Sequence, residues 1–324
     1  MRKRILRNVL HGLQYLHSYG IVHGDIHMGN ILVTIRPLEC DAGTIADLKQ
    51  RPEDGEPLKR RDGKQDLWAP PYQLVPAGLL EYNSTELDPY VKIADIGGSF
   101  RVQEPPTKII TPPEFRAPET LLGLPVGAGI DIWSFGCLAF LIVTGYHLFA
   151  PNDLLGSDEA IRDMNLIQFS EVIGPLPETM FRAWTRGALY FAPDRKSRLE
   201  KMIGEGEDGN FSFMRMDTDD VSQSDGGTDD KDGGGLLHQD GVDYKEDAAS
   251  GMSEVWSELS TDEELLIMMA HCHSLEQRFC EKKPEDIDEV EGQNIIHLLR
   301  WIFQYDAAAR PTAVEILNHP WFQT

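Results

Sequence analysis

Residues 129–146 are apolar on every side of any helix they could form. Ile130, Ile132, Trp133, Phe135 and Leu138 cannot all face one direction, so such a helix has no face to give to water. It belongs in the middle of a core, and Gly145 is its natural stop. The rest of the chain must wrap around it. Hydrophobic residues make up 41% of the 324 positions, enough to bury a core in one large domain or two modest ones. The longest apolar stretch, around Leu138 to Val143, is well short of a bilayer span, and no membrane partner is expected.

Around that helix the pattern is readable in pieces. Over residues 3–19, Ile5, Val9, Leu13 and Leu16 recur at three- and four-residue spacing, which predicts an amphipathic helix stopped by Gly20. Ile21-Val22 and Ile31-Leu32-Val33 read as short strands flanking a polar loop. Residues 36–89 lose this periodicity and read as an insertion rich in Pro, Gly and charge. Val91 to Ala94 reads as a buried strand, and residues 158–173 as a helix. The acidic, Gly-rich tract 204–250, with runs such as Asp217 to Asp220, has too little apolar material for a core and is expected to be disordered. Order returns in 251–324, first at Leu265 to Met269, then at Ile295 to Phe303. Pro311 in a first turn opens the last helix, through Leu317.

Charge narrows the partners. Acidic residues outnumber basic ones 53 to 30, for a formal charge of −23, so a phosphate-binding surface for nucleic acid is not expected. A basic protein or peptide suits this balance better. The four cysteines form no CxxC pair and no apolar leader opens the sequence, which fits a cytoplasmic or nuclear setting. His271, Cys272, His273 and Cys280 suggest a metal site, but on a helix only His273 and Cys280 share a face, and none is assigned.

The chemistry concentrates in Val22-His23-Gly24-Asp25-Ile26-His27-Met28-Gly29-Asn30-Ile31-Leu32. A loop between two strands presents a carboxylate and, five residues on, an amide. Asp25 can accept a hydroxyl proton while the oxygen of Asn30 ligates a hard cation. After the strand Val91 to Ala94 comes Asp95-Ile96-Gly97, a second carboxylate beside a flexible Gly. Then follow Ala117-Pro118-Glu119, Asp131-Ile132-Trp133-Ser134-Phe135-Gly136 and Ala309-Arg310-Pro311.

In that order these elements resemble the catalytic loop, the D-F-G turn, the A-P-E motif, the central helix and the late Arg of eukaryotic protein kinases. The resemblance covers residues 3–35, 90–175 and 290–322. It implies a protein kinase-like fold, C-lobe only, mainly α-helical with a short β-hairpin pair at the catalytic loop. The lobe would be built from 1–35, 90–203 and 251–324, interrupted by 36–89 and 204–250. Phe115-Arg116-Ala117-Pro118-Glu119, Gly174-Pro175-Leu176-Pro177 and the insertion behind the loop resemble the CMGC group, and within it the fungal-type SR-protein-kinase-like enzymes.

By that resemblance the chain is expected to transfer phosphate from Mg-ATP to a Ser or Thr hydroxyl of a protein, an Arg/Ser-rich one in this branch. Asp25 would be the base, with His27 the second catalytic residue, and Asn30 and Asp95 would hold Mg²⁺ and thereby ATP. His23, Gly97, Glu119, Asp131 and Arg310 would be structural. Asp131 would brace the loop backbone, and Arg310 would pair with Glu119. His27 stands where the family has Lys, and a free imidazole is only roughly one-quarter protonated at pH 7, a weaker phosphate cation. Thr111 falls one residue off the spacing at which the family's Thr bonds the catalytic Asp. Asp158, Glu159 and Asp163 read as an acidic surface for a basic substrate or, more plainly, as a solvated helix start. The Gly-rich loop, strand Lys and helix Glu that cover ATP in kinases are not found in this sequence, which leaves open a partner supplying a small lobe. The alternatives are a non-catalytic pseudokinase or interaction module, and a small-molecule phosphotransferase of aminoglycoside or choline kinase type. The latter shares H-G-D-x-H-x-x-N but not the A-P-E segment.

Overall fold

The computed structural model describes residues 1–34, 55–58, 68, 70, 72–73, 90–151, 157–191, 203–205, 211–213 and 273–323. The expected insertion 36–89 and acidic tract 204–250 fall largely outside these residues, as does Leu265 to Met269 entirely. The chain opens with α1 (Arg2–Ser18), β1 (Ile21–Val22), β2 (Ile31–Val33), β3 (Glu56–Pro57), β4 (Tyr72–Gln73), β5 (Val91–Ile93) and β6 (Phe100–Arg101). Helices follow as α2 (Pro118–Leu121), α3 (Gly129–Thr144), α4 (Asp158–Val172), α5 (Glu178–Ala183) and α6 (Gly187–Tyr190). The strands β7 (Ile203–Glu205) and β8 (Phe211–Phe213) precede α7 (Leu275–Lys282), α8 (Glu289–Ile302), α9 (Ala313–Leu317) and α10 (Pro320–Gln323).

Two compact units result. The first comprises residues 1–117, 126–146 and 283–324, the second residues 118–125 and 147–282. In the first, α3 is enclosed on all sides: Ile130 through Phe140 are buried without a break. Trp133 meets Phe303, beyond α8, edge to face at 5.0 Å. A Cβ on Gly136 would lie 2.6 Å from Ile302, so glycine is what lets α3 and α8 approach this closely. Gly145 ends α3 at φ 82°, with its N–H on the Leu141 carbonyl.

α1 packs beside α3, although its buried stripe is Leu6, Val9, Leu10 and Leu13 rather than the one expected from the spacing; Ile5 and Leu16 are only half-buried. The helix stops as expected. Tyr19 and Gly20 bond back to Leu16 and His17, and Gly20 takes φ 67°. α9 begins later than Pro311 suggests. Thr312 is its N-cap, and Thr312 and Glu315 close a capping box that holds the Glu315 carboxyl below its usual range through the Thr312 backbone N–H. A further short helix, α10, follows.

The strands around the polar loop are present, but they do not pair with each other. β1 pairs antiparallel with β6 (Val22 with Phe100), and β2 with β5 (Ile31 with Ile93, Val33 with Val91). The loop is therefore stapled at both ends to the segment that carries Asp95. β5 is half-buried, with Lys92 exposed, because two-stranded ribbons keep one face in water.

In the second unit α4 starts at an N-cap, Ser157, whose Oγ accepts the Ala160 N–H. Phe149 and Phe169 pack edge to face at 4.6 Å. Asp158 and Glu159 are exposed, but Asp163 is not available as a surface acid. It is 1% exposed and accepts from Trp184 Nε1 at 2.7 Å, Arg186 Nε at 2.5 Å and the Tyr190 hydroxyl at 3.0 Å. β7 and β8 pair as a hairpin at the start of the acidic tract.

Candidate active site

The loop from His23 to Asn30 hangs on one buried carboxylate. Asp131, in the first turn of α3, is 1% exposed. Its Oδ1 accepts the Gly24 N–H at 2.8 Å and its Oδ2 the His23 N–H at 2.8 Å. His17 Nε2, from the last turn of α1, donates to the same Oδ2 at 2.8 Å. Three donors around one buried anion are what such a charge needs to be tolerated.

His23 is fully buried and serves as a strut. Its Nδ1 accepts the Asp25 N–H at 3.3 Å, so the proton sits on Nε2, which donates to the Ala94 carbonyl at 3.1 Å. The Ala94 N–H in turn donates to the Asn30 carbonyl at 2.8 Å. Ala94 immediately precedes Asp95, and these two bonds bring the turn after β5 against the loop.

At the centre stand Asp25 and Asn30, 7% and 8% exposed. Asn30 Nδ2 donates to the Asp25 carbonyl at 2.9 Å and to Asp25 Oδ2 at 3.1 Å. Asp25 Oδ1 is buried with no hydrogen-bond partner among the described residues. His27 presents Nε2 3.6 Å from Asp25 Oδ2, while its Nδ1 accepts the Gly29 N–H at 3.2 Å. Its ring lies 6.1 Å from that of Phe115. Asp95 adopts φ 61° and ψ 68°, caps the short turn Ile96–Gly98 by accepting the Gly97 N–H through Oδ1 at 3.3 Å, and is exposed. Ile96 is 65% exposed.

The segment that follows is clamped by three hydrogen bonds to backbone carbonyls. Thr111 is buried and donates its hydroxyl to the Gly24 carbonyl at 2.6 Å, so its partner is the loop backbone one residue before Asp25. Arg116 Nε donates to the Thr111 carbonyl at 2.6 Å, and Ser134 Oγ to the Phe115 carbonyl at 2.8 Å. Gly24 takes φ 75°, and a Cβ there would lie a tight 3.0 Å from the Gly98 carbonyl oxygen.

Arg310 is buried in the first unit. It donates to the carbonyls of Gln304 at 2.8 Å and Gly129 at 2.9 Å, and lies over the Trp133 ring at 5.0 Å. Glu119 is buried in α2 of the second unit. His17 was not singled out from sequence, although a His in the last turn before the loop was the available signal. Leu32, two residues after Asn30 on β2, is 55% exposed while Ile31 is buried.

Comparison with known proteins gives one direction. The family description "Protein kinase domain" matches residues 78–222, a stretch that includes Asp95 and Asp131 but not the loop of Asp25. The serine/threonine-protein kinase SKY1 of Saccharomyces cerevisiae is 40% identical over 102 residues, 32% of this chain and 14% of that protein. The serine/threonine-protein kinase SRPK of Physarum polycephalum is 28% identical over 210 residues, 62% of this chain and 48% of that protein. The serine/threonine-protein kinase AFC3 of Arabidopsis thaliana is 27% identical over 184 residues, 56% of this chain and 37% of that protein. The chain thus spans less than half the length of these curated relatives. A crystal structure of a kinase domain is similar in fold, with a TM-score of 0.50 at 18% identity, covering 99% of this chain and 65% of that one.

Proposed function

Because the chain is an SR-protein-kinase-like member of the protein kinases, with their fold, we propose that its loop and the turn after β5 form the phosphoryl-transfer centre of an ATP-dependent Ser/Thr kinase. The observation that carries this is Asp25 Oδ1. It is buried in the loop and has no hydrogen-bond partner among the described residues. It is where a substrate hydroxyl would leave its proton.

The oxygen set also suits magnesium. Asn30 spends its Nδ2 on Asp25, so its Oδ1 remains an unshared acceptor, and Asp95 uses Oδ1 on Gly97, leaving Oδ2. Amide and carboxylate oxygens are the hard donors this ion takes. When bound, Mg²⁺ neutralises charge on the phosphates during transfer. Asn30 and Asp95 would hold it, and Asn30 would at the same time orient Asp25 through its Nδ2 bond. His27, beside Asp25, supplies an imidazole N–H on the same edge. Leu32 offers exposed apolar surface next to Asn30 for an adenine ring.

Asp25 takes the hydroxyl proton as the substrate oxygen attacks the terminal phosphorus, and the bond from that phosphorus to the oxygen of the departing nucleoside diphosphate breaks. The hydrogen bonds of Thr111, Arg116 and Ser134 hold the following segment. A basic, Arg/Ser-rich protein substrate suits the net charge of −23, with the exposed Asp158 and Glu159 among the acids open to it.

Thermal unfolding with Mg-ATP, followed by transfer to an Arg/Ser peptide, tests the proposal. Ligand at 1,000 times its dissociation constant adds about 4 kcal/mol. Asp25→Asn is expected to keep that stabilisation and lose transfer. No stabilisation at millimolar Mg-ATP, or undiminished transfer by Asp25→Asn, rejects it.

A further inference from the structure

His17 has no part in the chemistry above, yet it touches the anion from which the loop hangs. Of the three donors on Asp131, two are backbone N–H groups of the loop itself, His23 and Gly24. The loop cannot fix its own anchor. The third donor, His17 Nε2, comes from α1, and it shares Oδ2 with the His23 N–H. Taking it away leaves the carboxylate oxygens held only by the loop's own two amides, so no described side chain outside the loop sets the carboxylate's last torsion. Asp25 is the next residue after Gly24, and its own N–H rests on His23 Nδ1.

We propose that His17 is a positioning residue for phosphoryl transfer, fixing from α1 the Asp131 carboxylate that fixes the loop carrying Asp25. This rests on the function proposed for that loop. The His17 side chain is 15% exposed. It lines a cavity of about 550 Å³ together with Gln14, Ile132, Ala308, Pro311 and Val314. Removing the ring therefore leaves a hole that a small molecule can enter from that cavity, which makes the role open to chemical rescue.

In His17→Ala, kcat for peptide phosphorylation is expected to fall roughly tenfold to a hundredfold, the range for one hydrogen bond to a charged group, with little change in KM. Added imidazole should restore it. N-methylimidazole, at a pH that keeps it neutral, has no N–H and should not. The backbone amide resonances of His23 and Gly24 should shift in His17→Ala and return with imidazole but not with its methyl analogue. If His17→Ala does not fold, His17→Gln, which keeps an N–H donor, is expected to retain most of the rate while His17→Phe does not. The proposal is overturned by kcat within twofold of wild type, by equal rescue with both compounds, by His17→Phe matching His17→Gln, or by unmoved amides. Should the wild-type chain transfer no phosphate, the kinase reading fails while the amide shifts still decide whether His17 sets the loop.

Discussion

Replacing Gly24 with Ala probes the loop at its tightest point. Gly24 sits at φ 75°, where an L-residue costs roughly 1–2 kcal/mol. Ala also restricts the unfolded chain, which returns about 0.4–1 kcal/mol, so the backbone effect alone nets about 1 kcal/mol. The new methyl then meets the Gly98 carbonyl oxygen at 3.0 Å and Phe100 Cε1 at 3.2 Å. Neither gives way easily. Phe100 is paired with Val22 across β1 and β6, and Gly98 lies against both Ile110 and the Cβ of Asp25. Overpacking of this kind costs about 1–3 kcal/mol, for a total of about 2–4 kcal/mol. Gly20→Ala is the matched control: φ is 67° and nothing lies within 4 Å of the added methyl, so only the backbone effect of about 1 kcal/mol remains. Urea unfolding of both variants, read by circular dichroism at constant m, measures the difference. Equal losses, or a loss below about 0.5 kcal/mol for Gly24→Ala, would refute the close approach of Gly24 and Gly98.

Asp163→Ala should destabilise the second unit by roughly 3–5 kcal/mol, because Trp184, Arg186 and Tyr190 lose a buried acceptor together; a loss under about 1 kcal/mol in urea melts would show that Asp163 is solvated. His319 sets a pH dependence in the first unit. Its Nδ1 accepts the Trp321 N–H, so Nε2–H donates to His297 Nδ1 at 2.9 Å, and the pair is neutral. Burial, and then the neighbouring His297, lower its pKa. A lowered imidazole pKa means the unfolded chain binds the proton first. The stabilisation is therefore whole above the ordinary value near 6.5 and drains away as pH falls from there through the folded value. Melting temperatures between pH 7 and 5 should fall more steeply for wild type than for His319→Gln; parallel profiles would contradict this.

Sequence and structure agree best where the information is local and fail where it is not. The apolar ring of Ile130 to Phe140 declares a central helix by itself. Asp25 and Asn30 lie five residues apart in one loop, so their meeting required no long-range knowledge. Strand partners were different. β1 and β2 have two and three residues, and what each pairs with lies some way down the chain, beyond an insertion, with nothing in either strand to name it. Asp163 misled for a related reason: an acid near a helix start reads as solvated, while the Trp, Arg and Tyr that bury it come from beyond α5. Thr111 also depended on three dimensions, since spacing could not tell the Gly24 carbonyl from the Asp25 carboxylate as its partner.

The central claim is that Asn30 and Asp95 hold a divalent cation with its nucleotide beside Asp25. Paramagnetic broadening by Mn²⁺-ATP, followed on backbone amides, reads it directly. Signals from Gly24 to Asn30 and from Asp95 to Gly97 should broaden together and recover in Asn30→Ala and Asp95→Ala. Broadening that misses either segment, or survives both substitutions, would contradict the account.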